Sequence, residues 1–170
     1  KEKVYLITGG TSGMGLELAL TLAELGCTKL AIISRKNPLN LNKMIQQGEM
    51  LERINKLERL VAIAPEIGIY ECDVSNGEIL SQVLNQIRKR FGKIHGVFHC
   101  AGITKAGFIM RKDEKDYREI LDVKTKGTVL LDNFTRQDRL DFMILFSSAI
   151  TLVGEAGQCD YVAANSFLDS

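Results

Sequence analysis

Short apolar runs alternate along this chain with longer segments in which apolar residues recur at helical spacing. The runs at Val4–Ile7 and Lys29–Ser34, and the later ones "GIYECDV", "GVFHCAG" and "DFMILFSS", are rich in β-branched or aromatic residues. Runs that are apolar at nearly every position are typical of parallel strands buried on both faces. The pattern therefore predicts five strands of one parallel sheet.

The segments between these runs carry the amphipathic pattern of helices. They are "LELALTLAELG", "MLERINKLERLVAI", "ILSQVLNQIRKRFG", residues 116–135, and a last one from about Tyr161. Alternating strands and helices predict an α/β class: a Rossmann-like, doubly wound parallel sheet in three αβα layers. No linker interrupts residues 1–170, which we interpret as one domain. Because a helix that begins near Tyr161 buries little before Ser170, we expect further residues to complete the fold.

Composition and charge exclude some classes of function. Hydrophobic residues make up 45% and charged residues 25% of the 170 residues, which is ordinary for a globular domain. A net charge of +1 argues against non-specific binding of nucleic acid. No apolar run approaches the roughly 20 residues that span a bilayer. The start of the chain, "KEKVYLITGG", lacks the pattern of a signal peptide.

The cysteines and histidines point away from disulfides and metals. Cys27, Cys72, Cys100 and Cys159 form no C-x-x-C pair and lie in or beside apolar segments, so we interpret them as buried free thiols of a reducing, cytoplasmic compartment. The two histidines flank the apolar "GVF" and have no carboxylate close by in the sequence. We therefore predict no metal site.

The segment "TGGTSGMG", residues 8–15, lies between the first strand and its helix. Gly9 allows a tight turn, Gly13 lets the backbone approach a pyrophosphate, and Gly15 lets the helix pack closely on the strand. The amides at the helix N-terminus then face the phosphate charge. We predict a dinucleotide site whose contacts from this turn are Thr8, Gly9, Thr11, Ser12, Gly13, Met14 and Gly15.

The end of the second strand indicates which dinucleotide. A NAD site places an acidic residue about 20 positions after the turn, on the ribose hydroxyls. This chain has Ser34, Arg35 and Lys36 there instead. Because a guanidinium can fork onto a phosphate, Ser34 and Arg35 favour NADPH, although a solvated basic turn would look the same. Asp73, in "CDVS", could accept from the adenine amine or cap the turn that follows it.

The motifs "TGGTSGMG", "CDVS", "CAG", "FSS" and "YVAAN" occur in this order along the chain. This combination resembles the short-chain dehydrogenase/reductase superfamily, and most closely the ketoreductase domains of modular polyketide synthases. The resemblance implies NADPH-dependent reduction of a β-ketoacyl thioester carried on the phosphopantetheine arm of an acyl carrier protein, beside other domains of a synthase. It also implies that the final strands and the substrate lid of a catalytic subdomain would follow Ser170.

In that family a tyrosine donates the proton, and by the match it is Tyr161. Other short-chain reductases place a lysine four residues later, whereas this chain has Asn165. The family's ketoreductases exchange the two, so that the lysine comes from the long helix in a segment like "ILDVKTKGT". The match selects Lys124; Lys126 is the competing candidate and would lie on a different face of that helix. An ammonium is needed near the phenol because it favours the phenolate.

The same match assigns the remaining site residues. Ser148, at the end of the fifth strand, would donate to the substrate carbonyl, with its neighbour Ser147 facing the backbone. Asn165 would hold a water that resupplies the proton. Further cofactor contacts implied by the resemblance are Asp73, Val74, Cys100, Ala101 and Gly102, together with Lys124 on the nicotinamide ribose.

The chain departs from the family in its stereochemical markers. Where one class has "LDD", this chain has Thr104, Lys105 and Ala106, and Val153 replaces the tryptophan of the other class. The markers therefore do not indicate the configuration of the product. Three other functions are alternatives. The exchange of lysine and asparagine argues against a free-standing ketone reductase, and the intact "TGGTSGMG" argues against an epimerising domain. A non-reducing cofactor-binding scaffold is the third alternative.

Overall fold

The computed structural model describes residues 3–40 and 48–170, with the side chain of Asn40 excepted. In this part of the chain one parallel sheet has five strands, in the order β3-β2-β1-β4-β5. The strands are β1 (Val4–Thr8), β2 (Lys29–Ser34), β3 (Glu66–Glu71), β4 (Ile94–His99) and β5 (Phe142–Leu145). The predicted doubly wound α/β class is confirmed.

Helices connect the strands. They are α1 (Gly13–Glu24), α2 (Glu49–Ile63), α3 (Gly77–Phe91), α4 (Glu114–Thr135), α5 (Ile150–Val153) and α6 (Cys159–Asp169). Single-turn 3-10 helices lie at Pro38–Asn40, Ile109–Arg111 and Arg136–Asp138. Part of the turn-rich connection predicted between the second strand and its helix, residues 41 and 42, lies outside the described residues.

Two details of the prediction were wrong. The third strand begins at Glu66, ahead of the predicted "GIYECDV", and ends at Glu71. Pro65 explains the early start, because the residue before a proline is held extended; Ala64 has φ −109° and ψ 91°, so the chain passes from α2 straight into β3. Helix α5 was not predicted, since four residues are too few to show helical periodicity.

Both faces of the sheet are covered, as the apolar runs predicted. Val4 and Leu6 of β1 and Ile33 of β2 pack in a cluster with residues of α3 and α4. The alternate residues Ile7 and Ile32 pack on the opposite face with residues of α1 and α2. Because side chains alternate along a strand, each strand contributes to both layers of the core. Leu6, Ile7 and Ile32 are completely buried.

The chain runs outward through β1, β2 and β3, and then returns to the other side of β1 with β4 and β5. The carboxyl ends of β1 and β4 are therefore adjacent where the strand order reverses, and Thr8 lies opposite His99. In open parallel sheets ligands bind in the crevice beyond these strand ends. On the far side of β4, α4 packs against α6.

No helix in the described ranges combines the length and the apolar character needed to cross a membrane. The four cysteines are free thiols. Their expected burial is found only at Cys72, whereas Cys27, Cys100 and Cys159 are half-buried.

Candidate active site

A cavity of about 600 Å³ opens at the carboxyl end of the sheet. Its wall comes from the segments that follow β1, β2, β3 and β4. It brings together most of the residues predicted to bind a cofactor: Gly9, Ser12, Gly13, Met14, Gly15, Ser34, Arg35, Asp73, Val74, Cys100, Ala101 and Gly102. The other three, Thr8, Thr11 and Lys124, are buried. The sequence did not single out Ile33, Arg53, Cys72, Ile103 and Val123, which also line it.

The glycine turn fits tightly against the segment that follows β4. Gly9 has φ +70°, and a Cβ there would lie 2.9 Å from the backbone of Ala101. A Cβ on Gly15 would lie 2.6 Å from the carbonyl oxygen of Gly9, so α1 can approach the turn only with glycine at this position. Gly13 has φ +49° and faces open space. Gly9 and Gly15 thus allow close packing of the turn, and Gly13 leaves open space at the start of α1.

The first turn of α1 differs from those of α3 and α4. Asn76 and Asp113 cap α3 and α4 by accepting backbone N–H groups at Ile79 and Lys115. Ser12, at the same place on α1, makes no side-chain cap bond with any described residue. Uncapped N–H groups at a helix N-terminus attract anions, so this end of the cavity suits a phosphate.

The end of β2 is tied to the glycine turn and to α4. The hydroxyl groups of Ser34 and Thr11 are 2.7 Å apart and hydrogen-bonded. Arg35 Nη1 donates to Glu119 Oε1 on α4 at 2.6 Å, in an exposed ion pair. Glu119 also accepts from Lys105 at 2.8 Å, and these two cations lower the pKa of its carboxyl group. Arg35 therefore lies at the cavity with part of its charge already balanced.

Asp73 has a structural contact as well as its place in the cavity wall. Its Oδ1 accepts from the backbone N–H of Ser75 at 2.9 Å and from the Ser75 hydroxyl at 2.7 Å. This is the turn-capping role that the sequence left open beside adenine binding. This cap uses only one of the two carboxylate oxygens, so Oδ2 can still accept another hydrogen bond.

A buried hydrogen-bond chain fixes the turn after β4. His99 Nε2 lies 3.2 Å from the carbonyl oxygen of Val123, which can only accept, so Nε2 carries the proton. Nδ1 then accepts from the Thr8 hydroxyl at 2.6 Å, and Thr8 Oγ1 accepts from the Ala101 N–H at 3.3 Å. Burial, with a smaller effect of the nearby Lys124 charge, lowers the pKa of His99 to about 4. His99 is thus a neutral connector between β1, β4 and α4.

The protein should lose stability as the pH falls from 6.5 to 4, because of His99. An unfolded histidine titrates at 6.5, whereas the folded one titrates at about 4. Between these values the unfolded state binds the additional proton. The contribution is therefore complete above pH 6.5 and decreases by about 3 kcal/mol as the pH reaches 4. Urea unfolding at several pH values would measure it.

His99→Asn should flatten this dependence, whatever it does to stability at pH 7. His95→Asn, on the same strand, is the matched control and should keep the steep dependence because His99 is still present. An unchanged slope in His99→Asn would contradict the assignment.

Lys124 is buried on α4 and points to the segment that follows β5. Its Nζ donates to the carbonyl oxygen of Phe146 at 2.6 Å. It also lies behind Gly102, where a Cβ would meet Lys124 Cε at 3.2 Å. Burial lowers the pKa of the Lys124 ammonium. Lys126, the competing candidate, is exposed on the helix surface.

Helix α6 meets the same segment from the other side. Ser147 Oγ donates to the backbone carbonyl of Asn165 at 3.4 Å, while Ser148 Oγ accepts from the N–H of Ile150 at 3.4 Å. Asn165 Nδ2 donates to the carbonyl oxygen of Tyr161 at 2.7 Å. The buried Oδ1 of Asn165 has no hydrogen-bond partner in the described part of the chain. Segment 146–148 therefore joins the lysine of α4 to the tyrosine–asparagine pair of α6.

A buried ion pair anchors the start of α6, and sequence reasoning missed it. Lys112 Nζ pairs with Asp160 Oδ2, and their side chains are only 5% and 0% exposed. Asp160 Oδ1 accepts the N–H of Tyr161 at 2.9 Å. The N–H of Gly107 also donates to Gly157 at 2.9 Å. No sequence signal joins positions 48 apart, but the contacts fix Tyr161 against the loop that precedes α4.

Comparison with known proteins gives a consistent family. The sequence model of the KR domain matches residues 3–170. The chain is 37% identical over 166 residues to "Polyketide synthase PksN" of Bacillus subtilis, an overlap that covers 98% of this chain and 3% of that protein. It is 30% identical over 171 residues to "6-methylsalicylic acid synthase" of Penicillium patulum, covering 99% of this chain and 10% of that protein.

Solved structures agree. A ketoreductase domain from the bacillaene assembly line has a TM-score of 0.85 and 35% identity, covering 98% of this chain and 38% of its own. An N-terminal ketoreductase from the macrolactin assembly line has a TM-score of 0.82 and 31% identity, covering 99% of this chain and 33% of its own. The chain thus spans about a third of these structures and a tenth or less of the two synthases.

Proposed function

From the premise that this chain belongs to the KR domain family, we propose that it reduces a ketone with NADPH during polyketide biosynthesis. The observation that carries the proposal is segment 146–148, which accepts a hydrogen bond from Lys124 of α4 and donates one to the backbone of Asn165 on α6, in a fold with a cavity at the glycine turn. Relatives described as polyketide synthases and ketoreductases support the same reaction.

The cavity residues fit a phosphorylated dinucleotide. The uncapped start of α1 suits the pyrophosphate, and the basic end of β2 suits a 2′-phosphate. No acidic residue stands in the "SRK" segment to bind ribose hydroxyls, as a NAD site requires. Gly13 faces open space and so leaves room for the ligand to lie close to the backbone.

The bound nicotinamide supplies the hydride for the carbonyl carbon. Ser148 and Tyr161 donate hydrogen bonds to the carbonyl oxygen, where negative charge develops. Tyr161 then gives its proton to that oxygen and yields the alcohol. The Lys124 ammonium stabilises the phenolate that remains. The buried Oδ1 of Asn165, which has no partner among the described residues, is suited to hold a water that returns the proton to Tyr161.

We infer the substrate and partners from the relatives. The substrate is a β-ketoacyl thioester on the phosphopantetheine arm of an acyl carrier protein, and the chain works beside the other domains of a cytoplasmic synthase. The small share of each relative that it matches, 3% of one synthase, is consistent with a multidomain parent.

The test is to supply the intact protein with a β-ketoacyl thioester of N-acetylcysteamine and to follow the absorbance of reduced nicotinamide. We expect the β-hydroxyacyl thioester as product and a kcat/KM at least about tenfold higher with NADPH than with NADH, since a charge-assisted contact to the 2′-phosphate is lost in NADH. NADPH binding without any alcohol product would instead favour a non-reducing scaffold.

A further inference from the structure

Arg53 reaches from α2 to the place where the glycine turn meets the end of β2. Its Nε donates to the carbonyl oxygen of Thr11 at 2.5 Å, and its Nη2 donates to Thr11 Oγ1 at 3.0 Å. Thr11 Oγ1 in turn lies 2.7 Å from Ser34 Oγ. The guanidinium is therefore held one side chain away from the serine at the end of β2, and it lines the same cavity as Ser34 and Arg35.

No carboxylate among the described residues balances the charge on Arg53. Both of its hydrogen bonds in the described part of the chain go to Thr11, which is neutral. The side chain is half-buried, and burial lowers the pKa of its guanidinium. A partly desolvated cation without a counter-ion attracts an anion more strongly than one in water. The cavity is where such an anion would lie.

Arg35 offers a weaker positive charge to an anion in this cavity. Its guanidinium is bonded to Glu119, so a phosphate that bound it would compete with that carboxylate. Arg53 carries no such competitor among the described residues. In this fold the end of the second strand faces the ribose 2′ position. The corner shared by Ser34 and Arg53 is thus suited to a 2′-phosphate.

We propose that Arg53 is a specificity-determining residue that binds the 2′-phosphate of the cofactor, an assignment that rests on the proposed use of NADPH. Its two bonds to Thr11 hold the guanidinium in place and leave Nη1 for the phosphate. The preference for NADPH then comes from two elements, the end of β2 and the first half of α2. Arg53 contributes the larger part because its charge is unpaired.

The experiment is calorimetric binding of 2′,5′-ADP and of 5′-ADP to the intact protein and to Arg53→Gln. We expect Arg53→Gln to weaken the binding of 2′,5′-ADP by roughly 10- to 100-fold, the size of a lost charge-assisted bond. The affinity for 5′-ADP should stay within about twofold of the parent's. Arg53→Lys should keep part of the affinity, since the charge remains and the fork is lost. Arg59→Gln, on the same helix but paired with Glu24, is the matched control and should change neither ligand.

The outcomes separate the two proposals. Equal weakening of both ligands in Arg53→Gln would show that Arg53 only braces the glycine turn through Thr11, and would overturn the inference. If Arg53→Gln still preferred 2′,5′-ADP over 5′-ADP as strongly as the parent does, the inference would also be overturned, while the NADPH proposal would stand. A parent protein that binds the two ligands equally would overturn the NADPH proposal, and this inference with it. Unchanged 5′-ADP binding also reports that the variant is folded.

Discussion

Replacing Tyr161 by phenylalanine should lower the rate of ketone reduction by roughly 100- to 10,000-fold while the protein still binds NADPH, because a positioned general acid contributes about that much. The substitution removes one oxygen and keeps the ring. The helix should persist, since α6 is anchored by Asp160 through Lys112 and the N–H of residue 161. Loss of absorbance of reduced nicotinamide, with and without the thioester, measures turnover, and calorimetry measures binding.

Tyr5→Phe is the control for this substitution. Tyr5 packs its ring against Phe98 and Phe142. It is the second residue of β1, near the end of the strand opposite the cavity. Loss of its hydroxyl group should leave turnover unchanged. A Tyr161→Phe protein as active as the parent would remove Tyr161 as the proton donor and leave water or another group in that role.

The sheet was predictable because burial on both faces makes parallel strands apolar at nearly every position. Lys29–Ser34 was predicted with its observed bounds, since a polar residue at each end limits an apolar run. Strand β3 was placed late, because Glu66 looks like the end of the polar connection before it. The extended conformation of Glu66 and Ile67 follows from pairing with β2, which is a tertiary effect.

The candidate site divides in the same way. The glycine turn was recognisable from the sequence because its predicted role is local. A tight turn, a close approach of the backbone to a phosphate and the start of a helix fall within eight residues. Arg53 was not found, because an arginine on the polar side of an amphipathic helix looks the same whether it faces solvent or a cavity. Lys112 and Asp160 give no sequence signal either, since only the docking of the 107–112 loop on α6 brings them together.

A physical reason to choose Lys124 over Lys126 comes only from the fold. From the sequence the two lysines differ only by helical phase. In the structure Lys124 is 4% exposed and bonded to the segment that carries Ser147 and Ser148, whereas Lys126 is exposed. A buried ammonium acts on its neighbours through a lower dielectric than one in water, so Lys124 is the lysine that we propose to stabilise the phenolate.

Lys124→Met should therefore lower the rate of ketone reduction by roughly 100-fold or more, of the order expected when acid catalysis is lost. Methionine keeps most of the length of the side chain but removes the charge, so Tyr161 would have to lose its proton without a neighbouring cation. The fold should survive, because a buried charge with a single hydrogen bond to a carbonyl is exchanged for an apolar group of similar volume. Turnover of the β-ketoacyl thioester and the thermal unfolding midpoint measure the two effects.

Lys126→Met supplies the matched control, since it makes the same chemical change two residues along the same helix at an exposed position. We expect its turnover to stay within about twofold of the parent, as surface substitutions on a helix cost little. The reverse result, with Lys126→Met inactive and Lys124→Met active, would show that the ammonium comes from Lys126 and that the assignment to Lys124 is wrong. Activity equal to that of the parent in both variants would mean that neither Lys124 nor Lys126 assists Tyr161, and the proposed proton transfer would then lack the positive charge assigned to it.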